Sequence, residues 1–245
     1  MSTAPANGTR PEAAEPWTAE ELERRLRAVA DERYHHRHPF NLRMHEGRLS
    51  PEELRRWVLN RFCYQRHIPV KDALILAKLE TRELRRGWIR RIEDHDGRDG
   101  DEGGIERWLR LGEAVGLDRA LLLSGEGVLP GVRFAVQGYV DLCRHGTALE
   151  AVAASLTELF APDLMATRID AWERHYPWVE PEGLRYFRRR VGQGRRDGEE
   201  ALAMVLDWAR TRADQERALA AFSLKCDVLW SLLDAVEHAG KSHDG

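Results

Sequence analysis

The sequence predicts an all-α fold, a single compact helical bundle of seven or more helices. Three observations point there. Apolar residues recur at helical spacing along nearly the whole chain after Pro16, the signature of amphipathic helices. Helix-start signals precede several of these runs, and joints containing Gly or Pro separate them. No alternating run is long enough to argue for a sheet. With 245 residues, the chain can bury a core without disulfide or metal staples.

Residues 1–16 are mostly Ala, Pro, Gly, Thr and Glu, with almost nothing to bury. They are expected to be a disordered tail. One helical domain is expected over 17–240, and a short C-terminal tail over 241–245. Thr18 and Glu21 form a capping-box pattern at the start of the first periodic run, 18–33. Ser50, Pro51 and Glu53 form a stronger start for 51–66, with Pro at the first helical position. Runs at 69–79, 82–95, 105–115 and 131–144 follow. A third box, Thr147 with Glu150, opens a long run at 148–173. The last runs are 182–192, 198–212 and 215–239. Joints are expected at Gly97–Gly104, Gly125–Pro130 and Gly192–Gly198.

Charge excludes some functions. The 38 basic and 41 acidic residues leave a net charge of −3, which argues against a nucleic-acid binder. Only Lys71, Lys78, Lys225 and Lys241 are lysines; every other basic residue is Arg. Most of that skew reads as codon preference, so the informative arginines are those on apolar faces. Cys63, Cys143 and Cys226 are far apart and odd in number, so they read as reduced core thiols of a cytoplasmic protein. No apolar run approaches a membrane span, and no secretory signal pattern opens the chain.

Several polar residues fall on apolar stripes. Arg61 lies four after Trp57 and seven after Leu54, and Gln65 follows at the next step. Arg91 lies seven after Leu84. His95 lies seven after Trp88 and shares a face with Arg91. Tyr139 is seven after Val132. Glu158, read in a continuous helix, sits on a small-residue face with Ala151 and Ala154. Lys225 lies three after Phe222 and four before Leu229. Taken singly, each has a bland reading: a salt-bridged Arg, a satisfied core His, a core Tyr. Taken together they suggest a basic pocket, because burying charges without partners costs several kcal/mol. Such a pocket suits a small polyanion.

Known catalytic motifs fail. The acidic stretch 94–102 misses the EF-hand template, with Arg98, Asp99 and Ile105 where Ca²⁺ ligands and the turn Gly should stand. Glu32 and His35 make one Glu-x-x-His pair, and a di-iron bundle needs two. No metal site is expected. No nucleotide-binding or acyl-transfer motif is present either.

Other segments carry a family resemblance. They include Tyr34-His35 with His38-Pro39, Asn60-Arg61-Phe62-Cys63-Tyr64-Gln65, Ile68-Pro69-Val70-Lys71-Asp72, and Asp94-His95-Asp96-Gly97. Gly103-Gly104-Ile105-Glu106, Leu129-Pro130-Gly131-Val132, Ser155-Leu156-Thr157-Glu158-Leu159-Phe160-Ala161-Pro162 and His175-Tyr176-Pro177-Trp178 continue the series. In this order, over roughly 22–240, they resemble the pyrroloquinoline-quinone (PQQ) synthases. The resemblance implies a haem-oxygenase-like bundle, a homodimer, using neither metal nor organic cofactor and taking O2 as co-substrate. It implies the final step of PQQ biosynthesis: ring closure and oxidation of a tricarboxylated, amino-acid-bearing precursor, with release of peroxide. By the resemblance, Tyr34, His35, Arg61, Gln65, Lys71, Arg91, Tyr139, Glu158, Arg168 and Lys225 contact the substrate. His95, Tyr186 and Arg190 would handle oxygen, with Arg190 stabilising developing negative charge and His95 supplying protons. One departure stands out: Met165 occupies a position where the family usually carries a pocket His. It motivates two rivals, a related oxidase acting on another aromatic substrate and a non-catalytic PQQ carrier.

Overall fold

The computed structural model describes residues 14–239. The proposed tails therefore lie largely outside the described residues; Ala14–Pro16 carry no regular secondary structure. Among the described residues twelve α-helices form, and the only β-type pairing is an isolated bridge between Arg98 and Asp101. They are α1 (Ala19–Arg33), α2 (Pro39–His45), α3 (Pro51–Gln65), α4 (Ile68–Leu76), α5 (Arg82–Asp96) and α6 (Gly103–Ala114). Then come α7 (Arg119–Ser124), α8 (Pro130–His145), α9 (Ala148–Ala154), α10 (Ala161–His175), α11 (Arg185–Trp208) and α12 (Arg212–Ala239).

The caps explain most boundaries. Ser50 and Thr147 form complete capping boxes with Glu53 and Glu150. The box at Thr18 is only half made. Its hydroxyl accepts the Glu21 N–H at 3.2 Å, but the Glu21 carboxylate is taken by Arg24 and Arg25. Two short helices, α2 and α7, have no counterpart among the predicted runs. At α2 the N-cap is His38, whose ring nitrogen accepts the Phe40 N–H at 3.0 Å; His is outside the usual set of capping residues.

Two larger differences share one cause. The run 148–173 is not one helix: α9 ends at Ala154, Ser155–Leu159 form a 3-10 turn, and α10 starts at Ala161. Pro162 forbids continuity, since it has no N–H and its ring would strike the carbonyl of Glu158, four residues back. The runs 182–192 and 198–212 are instead one uninterrupted α11. The glycines in the expected joint serve close packing. A Cβ on Gly198 would meet the backbone nitrogen of Leu159 at 2.7 Å. The 3-10 turn thus lies directly on α11, and Glu158 is presented by that turn instead of by a helical stripe.

The long α12 packs against α1, α8 and α9, while α10 and α11 pack on each other. Trp57 from α3, Trp108 from α6, Trp172 from α10 and Phe187 from α11 cluster in the core, with Trp57 centred 5.5 Å from Trp108 and 6.0 Å from Trp172. Burial of aromatics of this size dominates a core's energetics. The acidic stretch that begins in the last turn of α5 is used by arginines: Asp101 bonds Arg107 at 2.5 Å, and Asp94 bonds Arg196. The three cysteines are free thiols. No helix among the described residues is long and apolar enough to cross a membrane.

Candidate active site

A partly open cleft, about 480 Å³ with its open solvent counted in, lies between α3, α10, α11 and the 3-10 turns at His35–Arg37 and Ser155–Leu159. Its wall includes Tyr34, His35, Arg61, Gln65, Glu158, Arg168, Tyr186 and Arg190. Tyr64, Thr157, Trp108 and Met165 complete its polar and aromatic lining. Two other hollows are larger, about 690 and 850 Å³. The first contains none of these groups, and the second shares only Tyr34. Chemistry, not volume, singles out the smaller one.

One side of this cavity carries cations without counter-ions. Arg168 is buried and, among the described residues, forms no ion pair. One Nη donates to the Asn41 side-chain oxygen at 3.2 Å, its Nε has no partner, and its guanidinium carbon lies 4.9 Å from the Trp57 ring centre. Burial, and then Arg61, bring its pKa down to about 9. Arg61 also has no ion pair among the described residues and stacks over Tyr64 at 3.9 Å. His35 is buried with its Nδ1 unpartnered. Burial, followed by Arg61, Arg168 and Lys225, pushes its pKa well below the usual imidazole value. Asn41 fixes this corner by donating to the His35 carbonyl at 2.7 Å while accepting from Arg168.

The opposite side is paired. Arg190 bonds the Glu158 carboxylate and reaches Asp197 at 3.4 Å. Burial pushes the Glu158 carboxyl up, but Arg190, Lys71, His95 and Arg91 outweigh it and hold its pKa near about 2. Tyr186 donates to Gln65 at 2.8 Å, which fixes the phenol against Trp108. His95 sits behind this wall and is not itself in the lining; a Cβ on Gly104 would touch both Tyr186 and His95. The His95 Nδ1 lies 3.0 Å from the Arg91 carbonyl. A carbonyl only accepts, so Nδ1 carries the proton and Nε2 keeps its lone pair. That Nε2 is buried without a partner. Burial and Arg190 lower the ring's pKa, so His95 rests neutral, as a base.

A second, collapsed chamber lies beyond Tyr64, lined by Tyr64, Lys71 and Tyr139. Lys225 is fully buried at 0% exposure, and its ammonium nitrogen donates to the Tyr64 hydroxyl at 2.8 Å. It lies 4.6 and 4.4 Å from the Tyr64 and Tyr139 ring centres. Burial, then Arg61, drives its pKa well below that of a free lysine. Lys71 by contrast pairs with buried Asp72 at 2.6 Å, and Ser155 lies 3.4 Å from both Lys71 and Tyr139.

Eight of the thirteen residues expected at the site therefore share one cavity wall. Tyr139 and Lys71 line the neighbouring chamber, separated from the first by Tyr64; Lys225 lines neither and reaches both only through Tyr64 and Tyr139. Arg91 is furthest from the expectation. It stacks on Trp88 at 3.9 Å and donates to the Asp197 carbonyl, behind the wall. Tyr64, Asn41 and Asp197 escaped the stripe analysis. Tyr64 carried the right signal, since it lies seven after Trp57 and three after Arg61.

A family model described as TENA/THI-4/PQQC matches residues 23–235. The chain belongs to the TENA/THI-4/PQQC family. Among curated family members, it is 52% identical to the pyrroloquinoline-quinone synthase of Pseudomonas putida strain W619, covering 93% of this chain and 90% of that one. It is 56% identical to the synthase of Pseudomonas aeruginosa strain LESB58, covering 89% and 87%. Solved structures share the fold at low identity. A haem-oxygenase-like protein from Shewanella denitrificans superposes with a TM-score of 0.74 at 14% identity, covering 92% of this chain and 94% of that one. A TenA homologue from Pseudomonas syringae gives 0.73 at 15%, covering 97% and 100%. The fold is thus the haem-oxygenase-like all-α bundle.

Proposed function

We propose that this protein is the oxidase of the final step of PQQ biosynthesis, closing the second nitrogen ring of a tricarboxylated precursor and oxidising it with O2. The observation that carries this reading is a set of cations without carboxylate partners among the described residues: half-buried Arg61 and buried Arg168 in the cavity wall, and buried Lys225 behind Tyr64. An unpaired buried cation costs several kcal/mol. A ligand with several carboxylates would offset that cost by charge-assisted hydrogen bonds. The relatives named pyrroloquinoline-quinone synthase share the whole folded length and supply the substrate class.

The oxidative chemistry follows from the paired side. Each two-electron step removes two electrons and two protons from the substrate and delivers them to O2, giving H2O2. The reduced, electron-rich ring is itself the electron donor, so the enzyme acts without metal or organic cofactor. His95, behind Tyr186, takes at Nε2 a proton relayed from the substrate as electrons leave the ring. The imidazolium so formed sits beside Arg190, which favours passing the proton on to the reduced oxygen. Arg190, held by Glu158 and Asp197 before any substrate arrives, supplies fixed positive potential where peroxide charge develops. Tyr186, oriented by Gln65, offers a hydroxyl to the same region. The protein works as a cytoplasmic homodimer, with the precursor, PQQ and O2 as its partners.

Incubating the purified protein with the ring-open precursor in air tests the reading. The expected result is O2 consumption together with the rise of the quinone absorption. Absence of both rejects it. Stoichiometric PQQ binding without turnover would make the protein a carrier instead.

A further inference from the structure

Asp197 lies outside the cavity wall, yet the paired side of the site converges on it. It is buried in α11 at 2% exposure, seven residues after Arg190 and so on the same helical face. Its carboxylate receives Arg190 Nη1 at 3.4 Å and Arg196 at 2.7 Å, and Arg91 Nε stands 4.0 Å away. Its backbone carbonyl accepts from a second nitrogen of Arg91. Arg91 in turn accepts from His95 through its own carbonyl at 3.0 Å. The next residue, Gly198, lets the turn bearing Glu158 rest directly on α11. One residue thus joins the three segments that carry His95, Glu158 and Arg190.

We propose that Asp197 is the positioning residue of the oxidative half of the site: it sets Arg190 against Glu158 and His95, and does not contribute to holding the polyanion. The physical reason is geometric. Arg190 has two anchors approaching from different directions, and with Glu158 alone it could swing about that single contact. A guanidinium displaced by about 1 Å loses much of its stabilisation of developing charge. The proposal rests on the oxidase reading for its kinetic consequences, but not for its structural one.

The test uses Asp197→Asn and the charge-balanced double variant Asp197→Asn/Arg196→Gln, which keeps the net charge and removes the half-exposed Arg196. For both, the expected result is a fall in kcat of about 10–100-fold, with the PQQ dissociation constant within about threefold of wild type. Crystal structures of the variants should show Arg190 shifted from its contact with Glu158. The double variant also covers failure of the single one to fold, which would otherwise leave an uncompensated arginine cluster. Full turnover in the double variant, or parallel loss of affinity and rate, or an unmoved Arg190, would each overturn the proposal. A wild-type protein that does not turn over would sink the oxidase reading alone, since the position of Arg190 is measured without substrate.

Discussion

The two sides of the cavity treat buried charge in opposite ways. On the α11 side, Arg190 is matched by Glu158 and Asp197. On the side built by α3, α10 and α12, Arg61, Arg168 and Lys225 have no carboxylate partner among the described residues. A paired charge is held in place before substrate arrives, and its partners offset part of its desolvation cost. An unpaired one is held at a cost, and that cost is recovered when an anion enters. The first arrangement fits fixed catalytic electrostatics; the second fits binding. The contrast separates rate from affinity, and it can be tested one side at a time.

The largest effect should come from Arg190→Met. Its removal leaves Glu158 and Asp197 without their shared cation, so stability should fall by about 3–5 kcal/mol. The oxidation rate should fall by about 10²–10³, the usual loss when one preorganised charge stabiliser is removed. Denaturant unfolding and O2 uptake measure the two separately.

On the other side, Arg61→Ala or Lys225→Met should weaken PQQ binding by about 2–5 kcal/mol, read by fluorescence titration, with a smaller change in the rate at saturation. Lys225→Met should also raise the melting temperature of the ligand-free protein by a few degrees, because it replaces a buried, unpaired amine with an apolar chain. A melting temperature that falls instead would mean Lys225 is already compensated.

The pH dependence of stability should distinguish the sides as well. His35 and His95 have pKa values below 6.5 in the folded protein. The unfolded chain therefore binds more protons below that pH, and stability should fall as pH drops from about 6.5 to 5. Glu158 adds a further loss, beginning near 4.5 and extending toward 2. Lys225 is depressed from 10.5, so between its folded value and 10.5 stability should rise with pH. Arg168, depressed to about 9, adds to the same rise, so the alkaline rise should shrink in Lys225→Met and shrink again when PQQ is bound. Thermal melts across about pH 2–10.5, with and without PQQ, check each sign.

The smallest effect should be that of Met165→His. Met165 lines the cavity with its sulfur 4.0 Å from Arg168. An imidazole there adds one hydrogen-bonding group, worth about 1 kcal/mol, so PQQ affinity should rise by less than about tenfold in titration. No change at all would show that this corner makes no contact with the ligand.

Much of this site was legible in the chain. Arg61 and Gln65 followed from their spacing to Trp57, and Lys225 from its place between Phe222 and Leu229. Arg168, Tyr186 and Arg190 needed the family resemblance, because a lone Arg or Tyr on a helix has many structural explanations. Asp197 was hidden for a specific reason. The glycines at 192, 194 and 198 read as a joint, and a joint has no helical face on which to register a residue seven positions after Arg190. Asn41 was hidden by a short helix with a His cap.

Local sequence rules determined that the protein is helical, where most helices start, and which faces are apolar. Those properties depend on neighbours within one or two turns. Pairing was decided only by the tertiary structure. Pro162 breaks the chain into a turn, Gly198 lets that turn lie on α11, and Glu158 then meets Arg190 instead of Arg61 or Arg168. Whether a buried charge has a partner depends on segments far apart in sequence. That long-range packing divides the cavity into a paired side and an unpaired one.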